Sequence, residues 1–207
     1  MGPHQNDATP NDNPPSSLLT ANDLEKVRAR DPEALGRLFD AYFGRLYSLA
    51  YRLMGNEAAA QDIVQELFLR VHKAAHQLDV TRDPAPWLLT ITTNLCREKW
   101  RSRQGRQDKQ TLSLDAKPEY TENVAATIAT PEQDAIVADQ GRLLAEALDQ
   151  LPEPMRLVVV LHDMQGLNHE EIAEMLQEAA PAVRKRYSRA LLKLRELLQD
   201  HKPDVLE

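Results

Sequence analysis

Two hundred and seven residues suffice for one or two domains with a buried core, which excludes a miniprotein that depends on disulfide staples. A single cysteine, Cys96, cannot make an internal disulfide, no basic start followed by an apolar run marks the chain for secretion, and the longest aliphatic run, Leu157 to Leu161, is far too short to insert in a membrane. The expected compartment is the cytoplasm, and the net charge of −7 argues against a nucleic-acid partner only as an average. Residues 97–109 hold Arg97, Lys99, Arg101, Arg103, Arg106 and Lys109 against Glu98 and Asp108, and residues 184–195 hold six cations with no acid. Two basic islands on an acidic body predict two separate contacts with a polyanion.

Seven glycines leave few sharp turns of the kind hairpins need, and no proline interrupts the apolar periodic stretches, so the expected fold is all-α. Residues 1–21, rich in Asn, Asp, Pro and Ser, read as a disordered tail. A first domain is expected over 22–104. Its first helix runs from Glu33 to Met54, where Leu35, Leu38, Tyr42, Leu46, Leu49 and Leu53 form one stripe between a cap at Asp31 and a stop at Gly55. Asn56 caps a second helix with Val64, Phe68, Val71, Ala75 and Leu78 inward. A third, from about Trp87 to Gln104, turns Leu88, Ile91 and Leu95 inward and Thr90, Thr93, Asn94 and Arg97 outward.

Residues 105–133 lack periodicity and contain Gly105, Pro118 and Pro131, which marks a linker of roughly 30 Å as a flexible coil and about 96 Å when extended. A second domain is expected over 134–199, opened by the capping box Thr130-Pro131-Glu132-Gln133 and a helix to about Gln150. Leu157, Val160, Leu161 and Met164 make another helical stripe that ends at Gly166. Asn168 and Glu171 cap a short helix with Ile172, Ala173 and Leu176 inward, and the last helix buries Val183, Tyr187, Ala190, Leu191, Leu194 and Leu198 before a tail at 200–207.

The last two helices have helix-turn-helix spacing. The small Ala173 allows close approach, Val183 locks the second helix, and its outer face carries Arg184, Lys185, Ser188 and Arg189 for a major groove. A plain helical hairpin with a solvated basic face shares this spacing, but a basic run without one acid favours DNA. The other island interleaves Trp87, Asn94, Arg97, Lys99, Trp100, Arg101 and Arg103. Aromatic faces stack on unpaired bases, amides pair with base edges and cations follow phosphates, a chemistry suited to single strands. Trp100, amid polar neighbours, is the expected stacking platform.

Catalysis has no visible site and no cofactor is implied. His72 and His76 share a helix face without a third ligand, Ala173 occupies the place of the second histidine in a zinc-protease motif begun by His169-Glu170, and there is no phosphate loop, G-x-S-x-G or reactive cysteine setting.

Against this organisation, the chain resembles the bacterial extracytoplasmic-function (ECF) sigma factors of the sigma-70 family. Ala34 to Asp40, Tyr47 to Gly55, Asp62 to Val71 and Pro86-Trp87-Leu88 through Asn94-Leu95 resemble the family's promoter-melting domain. Leu151-Pro152, Gly166-Leu167-Asn168, Glu171-Ile172-Ala173 and Arg189-Ala190 resemble its upstream-element domain. The resemblance implies a non-catalytic factor whose partners are core RNA polymerase, promoter DNA as duplex and melted strand, and an anti-sigma factor. It implies that Asp62, Gln65 and Glu66 dock on polymerase, that Asn94 with the preceding loop near Leu78 to Arg82 holds a base flipped out of the minus-10 element, with Arg97, Lys99, Trp100 and Arg101 on the same melted strand, and that Arg184, Lys185, Arg186, Ser188 and Arg189 bind the minus-35 duplex. Members commonly carry Asp-Ala-Glu-Asp where this chain has Ala59-Ala60-Gln61-Asp62, so two docking acids are missing; with no Ser or Thr from Glu57 to Arg70, phosphorylation does not replace them. The alternative is a free-standing helix-turn-helix regulator that binds duplex DNA without polymerase.

Overall fold

The computed structural model describes residues 19–107 and 141–200, and among them every regular element is helical. Helix α1, Ala21–Arg28, is one the periodicity reading missed: Thr20 and Asp23 form a capping box at 3.2 and 3.0 Å, so ordered chain begins inside the stretch expected to be a tail. The signal was there in Thr20, with an acid three residues on. Bonds from Thr20 and from the Arg37 guanidinium hold the Asp23 carboxyl at about 2, below its usual range.

Helix α2, Pro32–Met54, starts where Asp31 accepts the Ala34 N–H at 2.9 Å and ends at Gly55, whose φ of 61° favours glycine. Its stripe Leu38, Tyr42, Leu46, Leu49 and Leu53 is buried as the spacing predicts. Asn56 caps α3, Glu57–Ala74, through the Ala59 N–H at 2.9 Å, and a 3₁₀ turn, Ala75–Gln77, follows. Asp83 accepts both the Tyr42 hydroxyl (3.0 Å) and the Ala85 N–H (2.9 Å), which ties the loop before α4, Ala85–Gln107, to the middle of α2. Helix α4 runs through Gly105 to Gln107, so these three residues, expected to open the linker, are helical; the rest of that segment, the capping box at 130–133 and the tail after 200 lie outside the described residues. Helices α3 and α4 pack on α2 and on each other, burying Ile63, Val64, Leu67, Leu88, Leu89 and Leu95. Each contributes about 1.5–3 kcal/mol of transfer free energy.

In the second domain residues 141–149 form α5, followed by α6, Glu153–Val159, which loosens into a π turn at Val160–Met164. Val158 to Val160 are thus helical, as the stripe requires. Gly166, at φ 72°, stops the run, and Asn168 with Glu171 caps α7, His169–Leu176. Gln177 itself takes the left-handed conformation (φ 56°), giving the turn the geometry a glycine usually supplies, and α8, Ala180–Asp200, follows. Ala147, Leu148, Val159, Ala190 and Leu194 close a small core between α5, α6 and α8.

Two faces differ from expectation. Thr93 is buried rather than outward, because its neighbour Asn94 takes the open edge of α4, and Leu191 is 42% exposed because Ala190 and Leu194 carry the inward stripe of α8. The domains also touch. Leu157, Val158, Val160 and Leu161 belong to one apolar cluster with the first domain's core, Arg156 donates to the Leu53 carbonyl at 3.0 Å, and Arg45 donates to the Gln165 side chain at 2.9 Å.

Candidate nucleic-acid interface

A groove of about 450 Å³ runs between α3 and α4, lined by the three expected docking residues Asp62, Gln65 and Glu66 together with Ile63, Leu69 and Leu95. Leu69 is 57% exposed at its edge, an apolar spot among charges. The charges are already paired: Lys99 reaches Asp62 at 3.1 Å, and Arg70 bridges Glu66 at 3.0 Å and Glu98 at 2.7 Å. The Glu98 carboxylate, then Glu66, pushes the Arg70 guanidinium above its usual value, and Arg70 in turn lowers Glu98. Exposed pairs of this kind contribute only about 0.2–1 kcal/mol each, so a partner with its own charges can exchange them at small cost. Lys99, expected on the strand-binding side, instead lines this groove. Of the two neutral positions in the acidic motif, Gln61 is exposed and bonds Glu57 at 3.1 Å, whereas Ala59 is buried and unable to present a charge.

Arg70 and Glu98 also line a second groove of about 410 Å³, with Ala74, Gln77, Trp87, Ile91, Asn94 and Arg101. It brings an exposed amide, a half-buried indole and a guanidinium together at the end of the loop that precedes α4. That loop is braced by Asp79, which accepts the Thr81 hydroxyl at 2.6 Å and N–H at 3.0 Å and pairs with Arg82 at 3.3 Å. Arg97 is half-buried and Arg101 exposed on the same helix. Trp100 does not join them. At 5% exposure it is packed in the core, so it is no stacking platform, and the indole that borders the groove is that of Trp87. Polar neighbours in sequence misled the reading, since position 100 falls on the same face as the buried Leu89 and Cys96. Burial pushes the Cys96 thiol up to about 12, which leaves it inert.

In the second domain Ala173 and Val183 are buried where α7 crosses α8, as helix-turn-helix packing requires. The α8 cations divide into two kinds. Arg184 pairs with Glu170 at 2.5 Å and Arg186 with Glu178 at 2.6 Å, so both tie α8 to α7 and its turn; Ser188 turns its hydroxyl back to the Arg184 carbonyl at 3.1 Å. Lys185 and Arg189 are exposed, with no ion pair among the described residues. Tyr187, which sequence reasoning treated as core alone, donates to Asp163 at 2.7 Å and packs on the rings of His162 and His169. Burial and the Asp163 carboxylate raise its hydroxyl to about 12. His72 and His76 are exposed, and among the described residues no group of three or more His, Cys, Asp or Glu is arranged to hold a metal. No helix among them is long and apolar enough to cross a membrane.

Residues 38–106 match the family Sigma-70 region 2, and residues 141–194 match Sigma-70, region 4. The chain is 37% identical over 163 residues to the ECF RNA polymerase sigma factor SigE of Mycolicibacterium smegmatis, covering 79% of this chain and 61% of that one. It is 30% identical over 189 residues to the ECF RNA polymerase sigma factor SigW of Bacillus subtilis, covering 88% of this chain and 98% of that one. Among solved structures it is similar in fold to the Bartonella quintana sigma factor RpoE in complex with the anti-sigma factor NepR, with a TM-score of 0.62 at 21% identity over 81% of this chain and 98% of that one. CnrH in complex with the cytosolic domain of CnrY gives a TM-score of 0.60 at 23% identity over 88% and 99%. A free-standing regulator finds no support here, since the first domain is matched as well as the helix-turn-helix. Two helical domains, each carrying its own matched region, therefore place the chain in the ECF group of sigma-70 family sigma factors.

Proposed function

We propose that the chain acts by binding alone, as an alternative sigma factor that works in the cytoplasm: it docks on core RNA polymerase, recognises a minus-35 and a minus-10 element and assists strand opening. The carrying observation is the adjacency of two grooves on one helix pair, one apolar and ion-rimmed around Asp62, Gln65, Glu66 and Leu69, the other holding Asn94, Trp87 and Arg101. A protein surface suits the first. An unstacked base suits the second, which offers an amide edge, an aromatic face and a cation for the adjoining phosphate. Arg70 borders both grooves, so polymerase docking and strand capture share one support.

On α8, Lys185 and Arg189 contact the duplex, while Arg184 and Arg186 position the helix through Glu170 and Glu178. An anti-sigma protein that covers either groove would silence the chain.

The test is reconstitution with tagged core polymerase. The chain should co-elute with it, and permanganate should detect unpaired thymines on a cognate promoter only when both are present. Asn94→Ala should keep co-elution and closed-complex footprints but lose the permanganate signal, because a captured base exists only after unstacking, at a cost of a few kcal/mol. Tight, sequence-specific duplex binding by the chain without polymerase would overturn the assignment.

A further inference from the structure

The groove that holds Asn94 is unevenly charged. On the α4 wall Arg101 is exposed at the rim, whereas on the α3 wall the Arg70 guanidinium is spent on Glu66 and Glu98. A nucleotide whose base enters the groove brings two phosphates, one on either side of its sugar, so the α3 wall lacks a free charge for one of them. That charge lies one turn further on. Lys73 follows Arg70 by three positions, on the same face of α3, and the lining residues Ala74 and Gln77 come directly after it. Its side chain is exposed and makes no ion pair among the described residues. A second cation is brought to the same corner from 43 residues away. Arg30 lies in the short connection between α1 and α2, and its Nη2 donates to the Lys73 carbonyl at 3.0 Å, at the end of α3, where carbonyls lack intrahelical donors. A guanidinium has five N–H groups, and that bond takes one. Arg30 is exposed, has no ion pair among the described residues, and holds a backbone φ of 63°, in the left-handed region that suits glycine and strains a long side chain. The nearest acids in sequence are engaged elsewhere, since Asp31 caps α2 and Glu25 pairs with Arg28.

We propose that Arg30 and Lys73 form a phosphate seat for the melted strand, holding the phosphate on the α3 side of the captured base while Arg101 holds the one on the α4 side. The seat rests on the sigma-factor reading of the groove and adds to it a part of the chain that the reading does not use. Arg30 lies outside residues 38–106, the stretch matched to Sigma-70 region 2, and neither cation belongs to the two basic islands of the sequence. Only the fold assembles the pair: the capping box of Thr20 and Asp23 starts α1, and the packing of α1 on α2 and on the 3₁₀ turn carries Arg30 to the end of α3. Two unpaired cations at one corner of a chain whose net charge is −7 select an anion, and the adjoining groove for an unstacked base makes that anion a single strand rather than a duplex. A strained backbone at Arg30 is what a residue retained for its side chain, against its conformation, looks like.

Titration of the holoenzyme with forked probes carrying a single-stranded minus-10 segment tests the seat, each probe having one phosphate replaced by neutral methylphosphonate. The captured base is located first, as the nucleotide at which an abasic substitution removes the effect of Asn94→Ala. In the parent, neutralising either phosphate that flanks it should weaken binding about fivefold at about 0.1 M salt and hardly at all at about 1 M, as one single-strand contact with a salt slope of about 0.7 requires. Arg30→Gly combined with Lys73→Gln should weaken the unmodified probe by the same factor, ignore methylphosphonate at one flanking phosphate and still sense it at the other. Glycine suits the φ of Arg30 and glutamine is a good helix former, so circular dichroism should show unchanged helix content, and Lys73→Gln alone, on an exposed face, should show the same loss in part. Affinity of the double variant for core polymerase without DNA should equal the parent's. A double variant that senses methylphosphonate at both flanking phosphates as the parent does overturns the seat. One that loses affinity for polymerase without DNA also overturns it and makes the corner a protein contact. A parent chain that never brings polymerase to the probe overturns instead the sigma reading on which the seat rests.

Discussion

The different burial of the two tryptophans gives a sharp prediction. Trp87 borders the groove that holds Asn94 and Arg101, and Trp100 sits at 5% exposure among core side chains. Stacking of one base on an aromatic ring contributes about 1–3 kcal/mol, so Trp87→Ala should weaken holoenzyme binding to a forked minus-10 probe by about 5- to 150-fold. It should cost the free chain little stability, since the indole is only half-buried. Trp100→Ala removes a buried indole and should cost about 3–5 kcal/mol, a large part of the about 5–15 kcal/mol that holds a domain together. Because that variant risks unfolding, Trp100→Phe serves beside it: it should be measurably less stable yet bind the probe normally in the holoenzyme. Urea denaturation of each free variant and titration of each holoenzyme with labelled probe separate the two effects. A stable Trp100→Phe that has lost probe binding, with Trp87→Ala unaffected, would refute the assignment.

On α8, Lys185→Ala and Arg189→Ala should each weaken minus-35 binding by about 1–3 kcal/mol if they read base edges, or lower the salt slope by about 1 if they hold phosphate. Arg184→Ala should cost less, because DNA has to displace Glu170 to use that side chain; a larger loss from Arg184 than from Lys185, measured by footprint titration, would reverse the division. In the acidic motif, Gln61→Glu should improve polymerase affinity by no more than about 0.2–1 kcal/mol and fade with salt, whereas Ala59→Asp should cost at least about 1–3 kcal/mol of stability because that position is buried. An equal gain from both, by titration of labelled core polymerase, would mean that Ala59 faces the partner. Tyr187 has its hydroxyl raised to about 12 from about 10, so its protonated form favours the fold; that contribution is full below pH 10 and lost as pH rises toward 12. Tyr187→Phe should flatten the alkaline part of the melting-temperature profile, and an unchanged slope would exclude the Tyr187 hydroxyl, raised by burial and by Asp163, as its source.

Most of the helices were legible because caps and stripes agree: Asp31, Asn56 and Asn168 sit where the periodicity starts, and Gly55 and Gly166 where it stops. Helix α1 escaped because eight residues carry only Leu24 and Val27 inward, too few repeats to show a period. The basic islands were visible as charge. Their division into positioning and exposed cations was not, because Glu170 and Glu178 reach Arg184 and Arg186 only once the turn at Gln177 has closed. Trp100 and Ala59 mark the same limit from the other side. Neighbours along a helix point in different directions, and which of them is inward depends on where α2 lies, which no local window contains. The Arg156–Leu53 contact, 103 residues apart, is beyond any local reading.

The measurement closest to the central claim is transcription by core polymerase on fragmented genomic DNA, with and without the chain, followed by sequencing of the transcript starts. The account predicts a set of starts that appears only with the chain, preceded by two shared motifs at fixed spacing, and that shrinks when Lys185 and Arg189 are replaced together, with the upstream motif degraded. Starts that are the same with and without the chain, or new starts that share no paired motifs, would contradict it.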